Sequence, residues 1–177
     1  MTRMFTRFFT LAAIGTAASF AAATDVIGIR VNLGYHWSQN FKLRSGGKGN
    51  LEGPEVGVDF PIQSLAGIQL YASPTIVFGG KLVHGSDIDG QIYRFMVSAR
   101  KTISKDGFYG SVSVGAAHTE SRGLNEFKSA DGFVGAIGLG SPLKFKILGV
   151  SPSFEGRYYF SSKDQLRGFT IGLSASF

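Results

Sequence analysis

The chain has 177 residues, no cysteine and a formal net charge of +6, and only 17% of its residues are charged. This length corresponds to about one domain, and the lack of cysteine excludes a disulfide framework and a cysteine-based zinc site. Sixteen Phe and six Tyr exclude the aromatic-poor composition of a disordered chain. The net charge is too small to indicate, by itself, a protein that binds nucleic acid.

The N-terminal residues have the pattern of an export signal. Arg3 and Arg7 form a positive region, an apolar stretch follows over 8–20, and three alanines at 21–23 satisfy the small-residue cleavage rule. The apolar stretch is shorter than the ~20 residues that a membrane-spanning helix needs. We therefore predict a signal peptide over residues 1–23 and one exported domain over residues 24–177, either soluble or a membrane β-barrel.

From residue 27 onwards, apolar and polar residues alternate with a period of two, which is typical of strands with two chemically different faces. The first such segment places Ile29, Val31 and Leu33 on one face and Arg30 and Asn32 on the other. The pattern predicts an all-β chain of eight antiparallel strands, over 27–37, 56–60, 68–78, 93–100, 108–116, 133–139, 150–160 and 168–177.

The predicted connections between strands alternate in length. Long, polar connections over 38–53, 79–90 and 117–130 alternate with short ones, and only the last connection is short where a long one is due. Long and short connections at opposite ends are typical of an up-and-down transmembrane barrel. The short connections are 61–66, 102–107 and 141–144, and the exceptional one is 161–166.

Alternation alone does not show which face of the barrel is outside. A soluble lipocalin-like barrel of similar size keeps its apolar face inside, whereas a membrane barrel keeps it outside. The polar face is rich in Gly and Ser and nearly free of Lys, which suits a filled interior better than a wet surface. Aromatic residues on the apolar face cluster at the strand ends, as expected at two lipid–water interfaces. They include Trp37, Phe78 and Phe160 at the long-loop end and Phe60, Phe108 and Phe177 at the short-turn end.

The last strand carries a family resemblance. Phe169, Ile171, Leu173 and the terminal Phe177 share its apolar face. With the signal and the eight strands, this segment resembles the C-terminal assembly signal of small eight-stranded bacterial outer-membrane β-barrel proteins, the OmpA/OmpX-like class. The resemblance implies insertion by the barrel assembly machinery and contact with outer-membrane lipids and lipopolysaccharide. The even number of strands predicts that both termini lie on the periplasmic side.

The predicted interior contains charged residues of both signs. Buried charges persist only when they are paired, so we predict an Arg30–Asp59 pair near the short-turn end and a Glu155–Arg157 pair at the long-loop end. This network either fills the lumen as a structural plug, which we favour, or forms a narrow ion path or gate. Its members are Arg30, Glu55, Asp59, Arg94, Arg100, Glu155 and Arg157.

These features predict an integral outer-membrane barrel with a structural or surface-interaction role, acting in envelope integrity, adhesion or ligand contact through its outer loops, and not an open pore. One alternative is a lipid A-modifying hydrolase or acyltransferase, because His36, His84 and His118 each have Ser and carboxylate neighbours. His118 with Glu120 is the best candidate among them. A secreted lipocalin-like binder of a hydrophobic ligand is the other alternative.

The outer loops suggest partners without identifying one. Lys42, Arg44 and Lys48 lie in the first long connection, where they either pair with lipopolysaccharide phosphates or keep the loop solvated. Asp87 and Asp89 lack the spacing and closing Glu of a calcium loop. We expect no cofactor, no metal site, no nucleic-acid partner and a monomer.

Overall fold

The structure, a computed structural model, describes residues 28–38, 41–80, 88–122, 127–145, 150 and 152–177. The predicted signal peptide, His84 and Asp87 lie outside the described residues. The strands are β1 (Arg30–Ser38), β2 (Phe41–Lys42), β3 (Lys48–Gly49), β4 (Glu52–Leu65), β5 (Ile68–Gly79), β6 (Gly90–Thr102), β7 (Tyr109–Ser121), β8 (Ala130–Pro142), β9 (Pro152–Ser161) and β10 (Gly168–Ser176).

Eight of these strands form one closed antiparallel barrel in the order β1-β10-β9-β8-β7-β6-β5-β4. The barrel closes at β1, where Arg30 pairs with Asp59 of β4 on one side and with Ser176 of β10 on the other. The predicted eight-stranded antiparallel barrel is confirmed. Closure leaves no unpaired sheet edge around the barrel, which a lipid environment requires.

The two faces of the wall have inverted polarity. Along β7, Ser111 and Ser113 are buried in the lumen, while Val112 and Val114 point outward with exposed fractions of 57% and 63%. A similar alternation between lumen-facing and outward-facing residues occurs along β6, β8 and β9. An apolar outside and a polar inside exclude the lipocalin-like alternative, which needs the reverse arrangement.

The second barrel strand differs most from its prediction. β4 extends from Glu52 to Leu65, so most of the short connection expected over 61–66 is strand. The turn is reduced to Ala66 and Gly67, both with positive φ (50° and 77°), as in the tight two-residue turns that join antiparallel strands. Pro61 was expected to end the strand because proline donates no hydrogen bond to a neighbouring strand. In the structure Pro61 lies beside a register shift between β4 and β5, which accommodates it.

The connections at the long-loop end also have structure. The first contains the two-stranded hairpin β2–β3, whose strands pair Lys42 with Lys48. The last, exceptionally short connection contains a 3₁₀ helix, Asp164–Leu166. Within the described residues, no helix is long and apolar enough to cross a membrane.

Candidate functional site

The half of the lumen nearer the short turns contains a closed group of charges, named here the lower ion cluster: Asp59, Arg100, Glu155 and Arg157. Arg157 donates through Nε to Glu155 Oε1 at 2.7 Å, and its Nη2 lies 3.6 Å from Asp59 Oδ2. Arg100 Nη2 reaches both carboxylates, at 3.2 Å from Asp59 and 3.5 Å from Glu155. All four side chains are buried, so each charge depends on these partners rather than on water.

Two details of this cluster differ from the prediction. Glu155 and Arg157 are paired, but their contacts with Asp59 and Arg100 place them towards the short-turn end, not the long-loop end. Arg30 does not form an ion pair with Asp59, although the two are described and are register partners. Both Asp59 contacts come from arginines reaching across the lumen.

Arg30 instead binds neutral groups. It donates to Ser174 Oγ at 2.7 Å and to the Tyr109 hydroxyl at 3.0 Å. The Tyr109 ring lies within 5.0 Å of the Arg30 guanidinium and 4.7 Å of that of Arg100. An aromatic face attracts cations, so Tyr109 stabilises two arginines that would otherwise repel each other.

Further towards the long-loop end lies the upper ion cluster, formed by Glu55, Arg94 and His36. Arg94 is fully buried, donates to Glu55 Oε2 at 2.8 Å and stacks on Tyr159 with 3.9 Å between guanidinium carbon and ring centroid. Glu55 also accepts hydrogen bonds from the hydroxyls of Tyr159 and Thr170, at 3.0 and 2.9 Å. The carboxylate is therefore satisfied by three donors.

The hydrogen bonds of His36 assign its tautomer. Arg94 Nη2 lies 3.2 Å from His36 Nε2 and 3.4 Å from Nδ1, so this contact alone does not decide between the two nitrogens. Thr170 Oγ1 donates its hydrogen to Glu55 Oε2, so it accepts from His36 Nδ1 at 2.9 Å, and Nε2 is the acceptor for Arg94. His36 is built into the structural network of the lumen and is not presented to a substrate.

The mouth at the long-loop end is filled by apolar side chains that the strand pattern did not predict. Leu51, Ile88, Phe127 and Leu166 each come from a different connection, and all are at most 1% exposed. They pack with strand residues facing the upper lumen. We name this group the apolar plug: Leu51, Val77, Ile88, Ile92, Phe127 and Leu166.

A pair of glycines makes room for the apolar plug. Gly79 and Gly90 are register partners at the ends of β5 and β6. A Cβ atom at Gly79 would lie 2.7 Å from Leu51 Cδ2, and one at Gly90 would lie 2.6 Å from Leu51 Cδ1. Glycines facing each other across a long connection were the available sequence signal for the plug, because such glycines often mark close approach of other atoms.

The outside of the barrel is an apolar belt bordered by aromatic side chains. Trp37 stacks on Phe169 of the neighbouring strand with 6.4 Å between ring centroids. The ring of Phe160 lies over Gly135, its register partner. The predicted interface aromatics Trp37, Phe60, Phe78, Phe108, Phe160 and Phe177 all have outward or partly exposed positions, as do Phe169, Ile171 and Leu173 of the predicted assembly segment.

His118 lies on the outward face at the long-loop end of β7. Its Nδ1 lies 2.7 Å from Asp131 Oδ1, and its Nε2 lies 3.7 Å from Glu120 Oε2. Tyr93 stacks against the imidazole and donates to Glu120 at 3.3 Å. The structure thus brings His118 and Glu120 together with Tyr93 and Asp131, a group named here the outer rim cluster, whereas His36 is buried in the lumen.

The β2–β3 hairpin projects three basic side chains. Lys42, Arg44 and Lys48 are exposed, while Leu43 packs against the apolar plug. The base of the hairpin is fixed where Ser38 exchanges two hydrogen bonds with Leu51, at 2.6 and 3.0 Å. The basic residues are therefore exposed on a segment whose Leu43 and Leu51 pack inward.

Comparison with known proteins identifies the fold. No family model and no curated sequence matches the chain. Among solved structures, the neisserial surface protein A matches 85% of this chain and 97% of its own length, with a TM-score of 0.51 and 13% identity. The Yersinia pestis outer membrane protein Ail, in a phospholipid bilayer nanodisc, matches 86% of this chain and all of its own, with a TM-score of 0.51 and 14% identity.

The fold is that of a small outer-membrane β-barrel. In outer-membrane barrels, short turns face the periplasm and longer loops face outside. In this barrel the lower ion cluster lies near the short turns, and the apolar plug, the outer rim cluster and the β2–β3 hairpin lie at the long-loop end.

Proposed function

We propose that this protein is an integral bacterial outer-membrane barrel that carries no open solute path and acts in the envelope through its outer loops. The observation that carries the proposal is a lumen filled along its length. Two ion clusters occupy the lumen, one near the short turns and one further towards the long loops, and the apolar plug closes the long-loop end. Among the described residues, the groups that remain exposed to partners lie on the outer loops, the rim, the lipid-facing belt and the short turns.

The packing of the lumen argues against conduction. A barrel of eight strands has an interior just wide enough for side chains to fill. A cavity of about 20 Å³ lies beside Asn32, Arg157 and Ser174, which is room for about one water molecule. Passage of an ion would require both breaking buried ion pairs and displacing the plug.

The basic hairpin is the proposed contact with the outer surface. Lys42 and Lys48 stand directly opposite each other across the β2–β3 pair, and like charges in this position are destabilising. Between them, the turn contributes Arg44 and no carboxylate. An anionic partner would remove the repulsion, so we assign the hairpin to the phosphate groups of lipopolysaccharide.

Export and assembly complete the proposal. Residues 1–23 would direct secretion and be removed, leaving residues 24–177 as the barrel domain. Phe169, Ile171, Leu173 and Phe177 lie on one outward face of the last strand region, where the assembly machinery could read them. β10 pairs with β1 to close the barrel, so recognition of this strand would precede closure.

The outer rim cluster supports a second candidate, a lipid A-modifying hydrolase or acyltransferase. His118 lies between two carboxylates at the level where a lipid headgroup would pass. Incubation of lipid A with the folded barrel, followed by mass spectrometry, separates the candidates. Unchanged acylation supports the non-enzymatic role, whereas a change that His118→Ala abolishes would establish the enzyme.

Two measurements test the main proposal. In planar lipid bilayers, the folded barrel should give no steady current at low voltage, with an open porin as positive control. A stable conducting level would refute the proposal that the lumen is closed.

Binding of purified lipopolysaccharide should weaken several-fold in Lys42→Gln/Lys48→Gln. The matched variant Lys128→Gln/Lys163→Gln removes the same charge from other exposed outer positions, and equal weakening there would refute the assignment to the hairpin.

A further inference from the structure

A concave apolar groove runs along the lipid-facing side of β6 to β9, near the short turns. Its volume of about 910 Å³ lies within the range of ligand-binding clefts. Nearly all of its accessible wall is carbon. The main walls are Phe108, Val112, Ile137, Leu139, Phe154 and Tyr158.

Two glycines without side chains leave the space that forms the groove. Gly110, Leu139 and Gly156 form one register row across β7, β8 and β9, so a glycine lies on each side of Leu139. A Cβ atom at Gly110 would come within 3.1 Å of only the flexible end of Ile103, and one at Gly156 would come no closer than 3.7 Å to Phe169. Neither glycine is required by backbone packing, so their effect is to leave space on the outer surface.

The groove is positively charged at its short-turn end. Lys101 is exposed, lines the groove and is the register partner of Gly110. Lys105 and Lys144 are exposed in the two adjacent turns, which approach each other at Gly107 and Pro142, and with exposed Asp106 in the first turn the balance at this end stays positive. Lysine side chains at a membrane boundary extend their ammonium groups towards the headgroups.

We infer that this groove binds an anionic phospholipid of the periplasmic leaflet, with an acyl chain along the row of glycines and the headgroup phosphate at Lys101. Ordinary lipid covers the whole belt and exchanges freely. A retained lipid needs a concave apolar surface and a fixed opposite charge, and the groove offers both at the depth of one leaflet. The inference goes beyond the proposed function but rests on its membrane location.

The test measures lipid retained by the purified barrel. The protein is reconstituted in vesicles of equal parts phosphatidylglycerol and phosphatidylcholine, extracted in mild detergent and analysed by native mass spectrometry. We expect at least one retained lipid, with phosphatidylglycerol favoured several-fold. Gly110→Leu should fill the hollow and reduce retention several-fold, and Lys101→Gln should keep a lipid but lose the preference for phosphatidylglycerol.

Matched variants show whether these effects belong to the groove. Ala116→Leu adds the same kind of side chain further along the outer face of β7, and Lys128→Gln removes a lysine at the opposite end of the barrel. No retained lipid, or equal losses in the matched variants, would overturn the inference. Each variant is first checked for the mobility difference between unheated and boiled samples, so that failure of the barrel itself is recognised separately.

Discussion

Near the short turns, the lumen is closed by charged side chains that belong to strands, whereas near the long loops it is closed by apolar side chains of which most belong to the connections. The lower ion cluster depends on pairing, because a buried charge without a partner is costly. The apolar plug depends on volume, because its stability comes from packing and the removal of apolar surface from water. The comparison predicts different responses to substitution in the two halves.

The largest loss of unfolding free energy is expected from a substitution in the lower ion cluster. Glu155→Ala leaves Arg157 and Arg100 buried with one carboxylate between them. Breaking a buried pair by removing one partner costs about 3–5 kcal/mol. Denaturant unfolding in lipid vesicles measures the loss. Glu52→Ala, at a partly exposed position outside the cluster, should cost far less, and equal losses would show that the lumen charges are not coupled.

A smaller loss is expected in the apolar plug. Leu51→Ala removes a fully buried side chain, which costs about 2–5 kcal/mol depending on how far the site can collapse. We expect the lower part of this range because loop-borne neighbours can move inward. The unfolding free energy should change, and hydrogen exchange should accelerate at the long-loop end alone. Faster hydrogen exchange throughout the barrel would contradict the view that the two halves of the lumen are closed independently.

The link between the plug and the basic hairpin should contribute less again. Ser38→Ala removes the hydroxyl that accepts the Leu51 amide hydrogen at 2.6 Å. A hydrogen bond of this kind contributes about 0.5–1.5 kcal/mol. Amide exchange of Leu51 should become faster while residues of the lower ion cluster stay protected. Unchanged exchange at Leu51 would show that the hairpin is held by its apolar contacts.

The smallest expected change in stability is a gain rather than a loss, and it concerns the β2–β3 hairpin. In Lys42→Gln/Lys48→Gln, relief of repulsion across the β2–β3 pair should stabilise the hairpin by about a few tenths of a kcal/mol. The gain should appear at low salt and vanish at high salt, because exposed charges are screened. A loss of stability at low salt would mean that these lysines already have partners within the protein.

The same division explains what the sequence could predict. Alternation revealed the strands and placed Arg94 and Glu155 inside, since a period of two determines the side of the wall. Alternation could not predict that Arg30 binds Ser174 and Tyr109, because the long arginine side chain can reach hydrogen-bond partners on several different strands. Leu51 and Phe127 lie in segments without a period, so their burial depends on how the loops fold inward.

One measurement tests the membrane barrel most directly: the gel mobility of the protein in the detergent-extracted outer-membrane fraction, compared between unheated and boiled samples. A closed barrel resists cold detergent, so we expect a different apparent mass before boiling and one unfolded position afterwards. Recovery in the soluble periplasm or the medium, with the same mobility in both samples, would contradict a membrane barrel.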